Sequence, residues 1–252
     1  MNQLHTMQNP WATSELTVQC CHCNELFVAQ RINCFDMLLW PEGRQILNEN
    51  EFFHPVCPHC HIATEIIYPS RYIVRELGIA AVLIPDIEHQ DTDELFSYLN
   101  RYMNSLALDG IQHRAVGNFY AFSEQMRIHK YHLNDKAVQL MKPFIIGNLQ
   151  SRGYEVWNGF FMECIHPEKA EQIDDTIYFS TQEDQSKTYG EDIYQFYIYL
   201  TNGDIIPQGI NDTAYQICMN ILADKGLAND DGLFHLYDLS WSIHFHNSLH
   251  QN

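Results

Sequence analysis

The chain has 252 residues, of which 46% are hydrophobic, and its 14 basic and 32 acidic residues give a formal net charge of −18. The apolar share is enough for the core of one large domain or two smaller ones, and no segment has the roughly 20 continuous apolar residues of a membrane helix. The first residues do not join a basic end to an apolar run, so we expect no secretory signal and a cytoplasmic protein. The negative charge disfavours nucleic acid and anionic membranes as partners.

The first predicted elements surround two pairs of cysteines. Residues 16–18 and 26–29 read as strands on either side of the first pair, which is the strand, turn and strand order of a zinc ribbon. A short helix is predicted over 40–47, with a proline in its first turn. Residues 64–68 are predicted as a strand that leaves the second cysteine pair and ends at Pro69.

Apolar runs, helical spacing and capping residues define the elements of the remaining chain. The predicted strands are 78–85, 154–165, 176–180, 193–200 and 204–206. The predicted helices lie between 91 and 110, over 123–131, after the cap Asn134 and from 212 to 225. Asn202 and Gly203 predict a hairpin turn, and Pro143 is expected to kink or divide its helix.

These elements predict an α+β fold in which a zinc-ribbon-like cysteine module is joined to a helical segment and an acidic β-rich C-terminal region. We predict a zinc-binding domain over 1–151. Residues 152–252 are predicted as an acidic α+β region that either packs with the first domain or folds apart from it. This second region holds 4 basic and 16 acidic residues and so carries most of the net charge.

The clearest chemistry lies in two C-x-x-C motifs. Four thiolates from two tight turns are a ligand set for tetrahedral Zn²⁺, and a closed Cys₄ site is structural because no position is left for water. We therefore predict one structural zinc ion bound by Cys20, Cys23, Cys57 and Cys60. A redox pair, an iron site and a pair that binds no metal are alternatives. Cys21 could also replace Cys20 as a ligand, although the parallel with the second motif favours Cys20.

The residue after the second cysteine of each motif is expected to have a positive φ. Glycine suits that conformation best and asparagine tolerates it. Asn24 therefore fits the first motif, whereas His61 is less usual in the second.

These residues resemble the CpXC family, which is named for its paired Cys-Pro-x-Cys motifs. Besides the cysteines, several stretches resemble family segments in the same order, namely 32–36, 45–53, 68–72, 114–128 and 132–142. The resemblance covers about residues 17–150 and implies zinc binding, but no established activity. The chain departs from the family in having Cys21 in place of proline, and Asn24 and His61 in place of glycine.

Motifs of the common catalytic classes are missing, since the sequence has no Gly-rich phosphate loop, no G-x-S-x-G and no H-E-x-x-H. An enzyme whose site is assembled from dispersed residues is the alternative function. Its candidate residues are His113, Glu124, His129, His132 and Asp135.

Two further clusters have a functional and a simpler structural interpretation. The candidates for a second metal site are His244, His246 and His250, which are otherwise polar surface. The candidates for an aromatic binding face are Tyr194, Phe196, Tyr197 and Tyr199, which are otherwise buried in a strand.

We predict a non-catalytic zinc-binding protein that acts as a protein-interaction module for a basic partner. One specific form is an immunity or antitoxin-like protein that neutralises a cationic toxin. Solubility alone also explains the acidity. A nucleic-acid-binding zinc ribbon is disfavoured, because neither cysteine motif is flanked by a basic cluster.

Overall fold

The structure is a computed structural model that describes residues 13–36, 53–87, 90–103, 110–165, 177–179 and 192–249. Its helices and strands confirm the predicted α+β class. The predicted helix over 40–47 lies outside the described residues, as do residues 104–109 at the end of the helix predicted between 91 and 110. None of the described helices is long and apolar enough to cross a membrane.

The chain divides into two compact units. The first unit comprises Met1–Phe122 and Gly232–His235, and the second comprises Ser123–Asp231 and Leu236–Asn252. Residues 123–151 thus group with the residues that follow them in the chain. The division into a domain over 1–151 and a region over 152–252 stays a prediction.

The first unit begins with a β-hairpin. Strand β1 (Thr13–Gln19) pairs antiparallel with β2 (Leu26–Ile32), and the first cysteine motif lies in the turn between them. Alternation along the strands buries Val18, Phe27 and Ala29 on one face. The predicted strands on either side of this motif are confirmed.

A five-stranded sheet follows the hairpin in the first unit. In spatial order, its strands are β11 (Phe234–His235), β6 (Gln112–Val116), β5 (Ile79–Leu83), β4 (Ser70–Val74) and β3 (Cys34–Asp36). Strand β5 confirms the strand predicted over 78–85, and all five of its residues are buried. Helix α1 (Thr92–Met103) starts after Asp91, which caps it, because its carboxylate accepts hydrogen bonds from the N–H groups of Asp93 and Glu94 at 3.1 Å.

The strand predicted over 64–68 is wrong. The structure has an isolated bridge between Val56 and Ala63 there, and the strand itself begins at Ser70. Pro69 has no N–H to donate, and immediately before a strand it removes no ladder hydrogen bond. The proline thus precedes the strand instead of ending it.

Tyr68 connects the hairpin to the five-stranded sheet. Its hydroxyl oxygen accepts a hydrogen bond from the N–H of Ile32 at 3.3 Å, and its ring stacks on Phe53 with centroids 5.1 Å apart. The N–H of Arg71 donates to the carbonyl of Asn33 at 3.0 Å. These contacts fix the end of β2 where the chain continues through Asn33 into the edge strand β3.

The second unit packs helices against a four-stranded sheet. In spatial order, the strands are β7 (Val156–Ile165), β9 (Ile193–Leu200), β10 (Ile205–Asn211) and β8 (Ile177–Phe179). The helices are α2 (Phe119–Lys130), which begins in the first unit, α3 (Asp135–Ser151), α4 (Asp212–Asp224) and α5 (Leu239–Leu249). The apolar core lies among α3, α4 and one face of the sheet.

Local signals in this unit have mixed outcomes. Asn134 caps α3 as predicted, since its side chain accepts a hydrogen bond from the N–H of Ala137 at 3.2 Å. Helix α3 runs unbroken through Pro143, so of the predicted kink or division the division is wrong, and the kink stays a prediction. Gly203 has φ of 91° in the predicted hairpin turn between β9 and β10. Helix α5 was not predicted.

Candidate metal centre

The structure brings the four cysteines of the two motifs into one cluster. Their sulfur atoms all lie within 4.8 Å of one another. The sulfurs of Cys20 and Cys60 are 3.5 Å apart, and those of Cys23 and Cys57 are 3.7 Å apart. Sulfurs about 2.3 Å from a tetrahedral zinc ion are about 3.8 Å from each other. The cluster therefore has the size that a tetrahedral metal ion requires. Within the described part of the chain it is the only such group of His, Cys, Asp or Glu side chains.

The two turns that carry these cysteines share one backbone pattern. The N–H of Asn24 donates to the carbonyl of Cys20 at 3.0 Å, and the N–H of His61 donates to that of Cys57 at 2.9 Å. Asn24 and His61 have φ of 60° and 61°, which confirms the predicted positive φ at both positions. Each turn thereby directs two sulfurs to the same point.

The electrostatics of the cluster are uneven. The N–H groups of Cys23 and His22 point at the sulfur of Cys20, at 3.5 and 3.4 Å, and lower the pKa of its thiol to about 5. At Cys23 the N–H of Glu25 acts in the same direction, but burial and the neighbouring sulfurs raise the pKa to about 12. Four sulfurs this close ionise together only when a cation compensates their charge. The donor set thus suits a divalent ion that prefers thiolates.

The cluster is closed on its inner side. Cys20 and Cys57 are fully buried, while Cys23 and Cys60 are half-buried. A small apolar shell packs around the two buried cysteines, and it includes Phe27 of the hairpin. A metal ion held by these four sulfurs would have no open position for a substrate.

Cys21 lies outside the cluster. It is exposed, and its sulfur accepts a hydrogen bond from the hydroxyl of Thr64 at 3.6 Å. The structure therefore groups Cys20, and not Cys21, with the other three cysteines.

The region around the cluster also matches a known family. Residues 18–142 match the sequence model of the family described as CpXC protein. Over these residues the chain belongs to the CpXC family. The matched segment contains all four clustered cysteines, and it confirms the predicted resemblance over nearly the predicted range. The comparison with curated proteins and the comparison with solved structures gave no match.

The CpXC segment contains the candidates for a dispersed enzyme site, but they form no group of ligand atoms among the described residues. His113 belongs to the first unit, where its Nδ1 lies 3.1 Å from the carbonyl of Gly232 and its ring packs on Phe234. The other candidates belong to the second unit. They are Glu124, His129, His132 and Asp135.

Glu124 is the centre of a buried polar cluster. Its carboxylate accepts hydrogen bonds from Lys142 Nζ at 2.7 Å, from Gln139 Nε2 at 2.9 Å and from the N–H of Phe161 at 2.6 Å. Burial lowers the pKa of Lys142, and the carboxylate opposes that effect. We call these four groups the Glu124 cluster. The carboxylate thereby also provides an acceptor for a backbone N–H of the edge strand β7.

The candidate second metal site has ordinary helix contacts. His244 Nδ1 lies 2.7 Å from the carbonyl of Ser240, and the ring of His246 packs edge-on against Phe144. His250 lies outside the described residues. The observed contacts of His244 and His246 therefore favour the structural interpretation over a second metal site.

The candidate aromatic face divides between two sides of β9. Tyr194 and Phe196 are buried, which confirms the structural interpretation for them. Tyr197 and Tyr199 are only half-buried.

Proposed function

We propose that this protein is a non-catalytic, zinc-binding protein-interaction module. The observation that supports a metal is the approach of four sulfurs to within 4.8 Å of one another, in a segment that belongs to the CpXC family. Bound zinc would supply a fixed tetrahedral cross-link between the two cysteine turns. Cys20, Cys23, Cys57 and Cys60 would hold it, in a zinc-ribbon-like arrangement with the β1–β2 hairpin.

The partner that we propose is a basic protein. The argument is charge, because residues 152–252 carry 16 acidic and 4 basic residues, and opposite potentials favour and steer association. The same charge opposes binding to nucleic acid and to anionic membranes. An immunity or antitoxin-like protein that neutralises a cationic toxin is one specific form of this function.

A capture experiment over a salt series tests the proposal. The full chain serves as bait in a lysate of the native host, and an unrelated protein of equal net charge serves as the control bait. We expect one dominant basic protein on the chain alone, released as salt rises. Capture of no protein at low salt, or the same set of proteins on both baits, would refute partner recognition.

A further inference from the structure

The sheet of the second unit carries an aromatic surface on the side away from its core. Phe196 and Ile198 belong to the apolar core, so alternation along β9 directs Tyr199 to the other face. The ring of Trp157 meets that of Tyr199 nearly at a right angle, with centroids 6.1 Å apart. Ile205 lies directly opposite Tyr199 on β10. We call Trp157, Tyr199 and Ile205 the outer aromatic surface.

This surface is exposed to an unusual degree for its residue types. Trp157 is 52% exposed and Ile205 is 50% exposed, although tryptophan is on average a highly buried residue. The register of β7 against β9 shifts between Val156 and Asn158, so Trp157 sits at a bulge. A bulge re-aims the side chain that it carries, and bulges are enriched next to functional sites.

One acidic side chain borders the outer aromatic surface. Glu155 precedes Trp157 by two residues, and its carboxylate accepts a hydrogen bond from the hydroxyl of Thr201 at 3.1 Å. Thr201 follows Tyr199 by two residues, so alternation places it on the same side of the sheet. Glu155 is exposed.

The residues of this surface suit a ligand that has a cationic group next to an apolar group. Aromatic ring faces attract guanidinium and ammonium groups, and nearby carboxylates add to that attraction. At the same end of β7 the chain's own Arg152 lies over the ring of Tyr154 at 5.5 Å, which is a contact of the same kind. The exposed side chain of Ile205 offers a place for an apolar residue beside the cation.

We propose that the outer aromatic surface is where the basic partner binds, through an arginine-bearing segment that seats a guanidinium against Trp157 and pairs with Glu155. This inference rests on the proposed function, because it names the surface by which a basic protein is recognised.

Titration of the full zinc-loaded chain with two short peptides tests the proposal. One peptide alternates arginine with leucine, and in the other each arginine is replaced by citrulline, which has the same shape but no charge. At low salt we expect the arginine peptide to bind at least about tenfold more tightly, and Trp157→Ala to weaken it by about tenfold. Equal binding of the two peptides, or no saturable binding up to about 1 mM, overturns the proposal.

Matched variants locate the binding. Ile217→Ala removes an apolar side chain that is 51% exposed on α4, and it should leave the affinity unchanged. Glu155→Gln should weaken binding of the arginine peptide, whereas Asp224→Asn, which removes an exposed acid of α4, should not. Equal losses within each pair would show that binding is non-specific and would overturn the assignment to this surface.

Two outcomes separate this inference from the proposed function. If the captured host protein still binds Trp157→Ala with unchanged affinity, the surface is wrong while partner recognition stands. If the chain captures no host protein, the proposed function itself fails. A second copy of this chain is the other possible occupant of the surface, and sedimentation tests it. If the wild-type chain is a dimer and Trp157→Ala dissociates that dimer, the surface is a dimer interface and the proposal is overturned.

Discussion

The cysteine hairpin and the core of the second unit are stabilised by different means. Besides two cysteines, the buried cluster of the hairpin contains only Val18, Phe27 and Ala29 in the described structure. The main cluster of the second unit contains 16 buried residues over its described part. An apolar core as small as that of the hairpin usually needs a metal or a disulfide to fold. We therefore expect metal removal to affect the hairpin first and the second unit little.

The largest expected effect is that of Cys57→Ser. Structural zinc contributes about 10–16 kcal/mol to the folding of small zinc-binding peptides, and loss of one thiolate opens the closed site. The wild-type chain should contain about one zinc ion, and the variant should lose it together with the hydrogen-exchange protection of β1 and β2. Elemental analysis and amide exchange measure these two quantities.

Cys21→Ser is the matched control, because Cys21 is exposed and lies outside the sulfur cluster. It should keep the metal and the protection of the hairpin. A Cys57→Ser chain that retains both would contradict a metal-dependent hairpin, and a Cys21→Ser chain that loses the metal would contradict the ligand set.

The cysteine cluster could be predicted from sequence because its determinants are local. The spacing of each motif and the turn that follows it lie within six residues, and the positive φ at Asn24 and His61 follows from that turn alone. The start of α1 at Asp91 and the β9–β10 hairpin at Gly203 are local in the same sense.

The features that were missed depend on contacts between distant residues. Strand β6 contains Gln112, His113 and Arg114 and so lacks an apolar pattern. In the structure the Arg114 guanidinium donates to the carbonyl of His113 and to the side chain of Gln112, at 2.8 and 3.0 Å, which makes a buried arginine tolerable. The Glu124 cluster likewise joins α2, α3 and β7, and no spacing in the sequence predicts that contact.

Glu124→Gln is expected to have the next largest effect, and it acts on the second unit. Both carboxylate and ammonium are about 2% exposed, so the variant leaves the charge of Lys142 buried without its counterion. Breaking a buried ion pair on one side costs about 3–5 kcal/mol of unfolding free energy. Urea denaturation measures the loss.

The double variant Glu124→Leu with Lys142→Met separates charge from packing. Since it leaves no uncompensated charge, it should be more stable than Glu124→Gln alone. Glu163→Gln removes an exposed acid of β7 and should change the unfolding free energy by less than about 0.5 kcal/mol. A Glu124→Gln loss no larger than that of Glu163→Gln would show that the pair contributes nothing.

Alkaline pH should weaken the apolar core of the second unit through Cys218. Burial raises the pKa of this thiol from 9.0 to about 12, so the folded state keeps a proton that the unfolded chain releases. The stabilisation is complete below pH 9 and is lost as pH rises towards 12, at about 1.4 kcal/mol per pH unit. Urea denaturation at pH 8 and at pH 10 measures this slope.

Cys218→Ala should remove the part of the pH dependence of the unfolding free energy that this thiol causes. The variant should also be less stable at every pH, because it leaves a cavity. The wild-type chain at the same two pH values provides the comparison. An identical slope in the Cys218→Ala chain would show that its thiol does not titrate differently in the folded state.

The smallest expected effect is that of a glycine in the second cysteine turn. His61 has φ of 61°, a conformation that costs most non-glycine residues about 1–2 kcal/mol. Glycine removes that cost but gives back about 0.5–1 kcal/mol through the greater freedom of the unfolded chain. His61→Gly should therefore raise the unfolding free energy of the zinc-loaded chain by only about 0.5–1 kcal/mol, which thermal denaturation measures.

Asn24→Gly separates conformational strain from a general effect of glycine. Asn24 has nearly the same φ, of 60°, but the short polar side chain of asparagine can hydrogen-bond locally and so suits the left-handed region better than that of histidine. The gain at position 24 should therefore be close to zero, and competition with a chelator should show tighter zinc retention only for His61→Gly. Equal gains at both positions would mean that the side chain of His61 carries no particular strain, and that the two turns differ only in sequence.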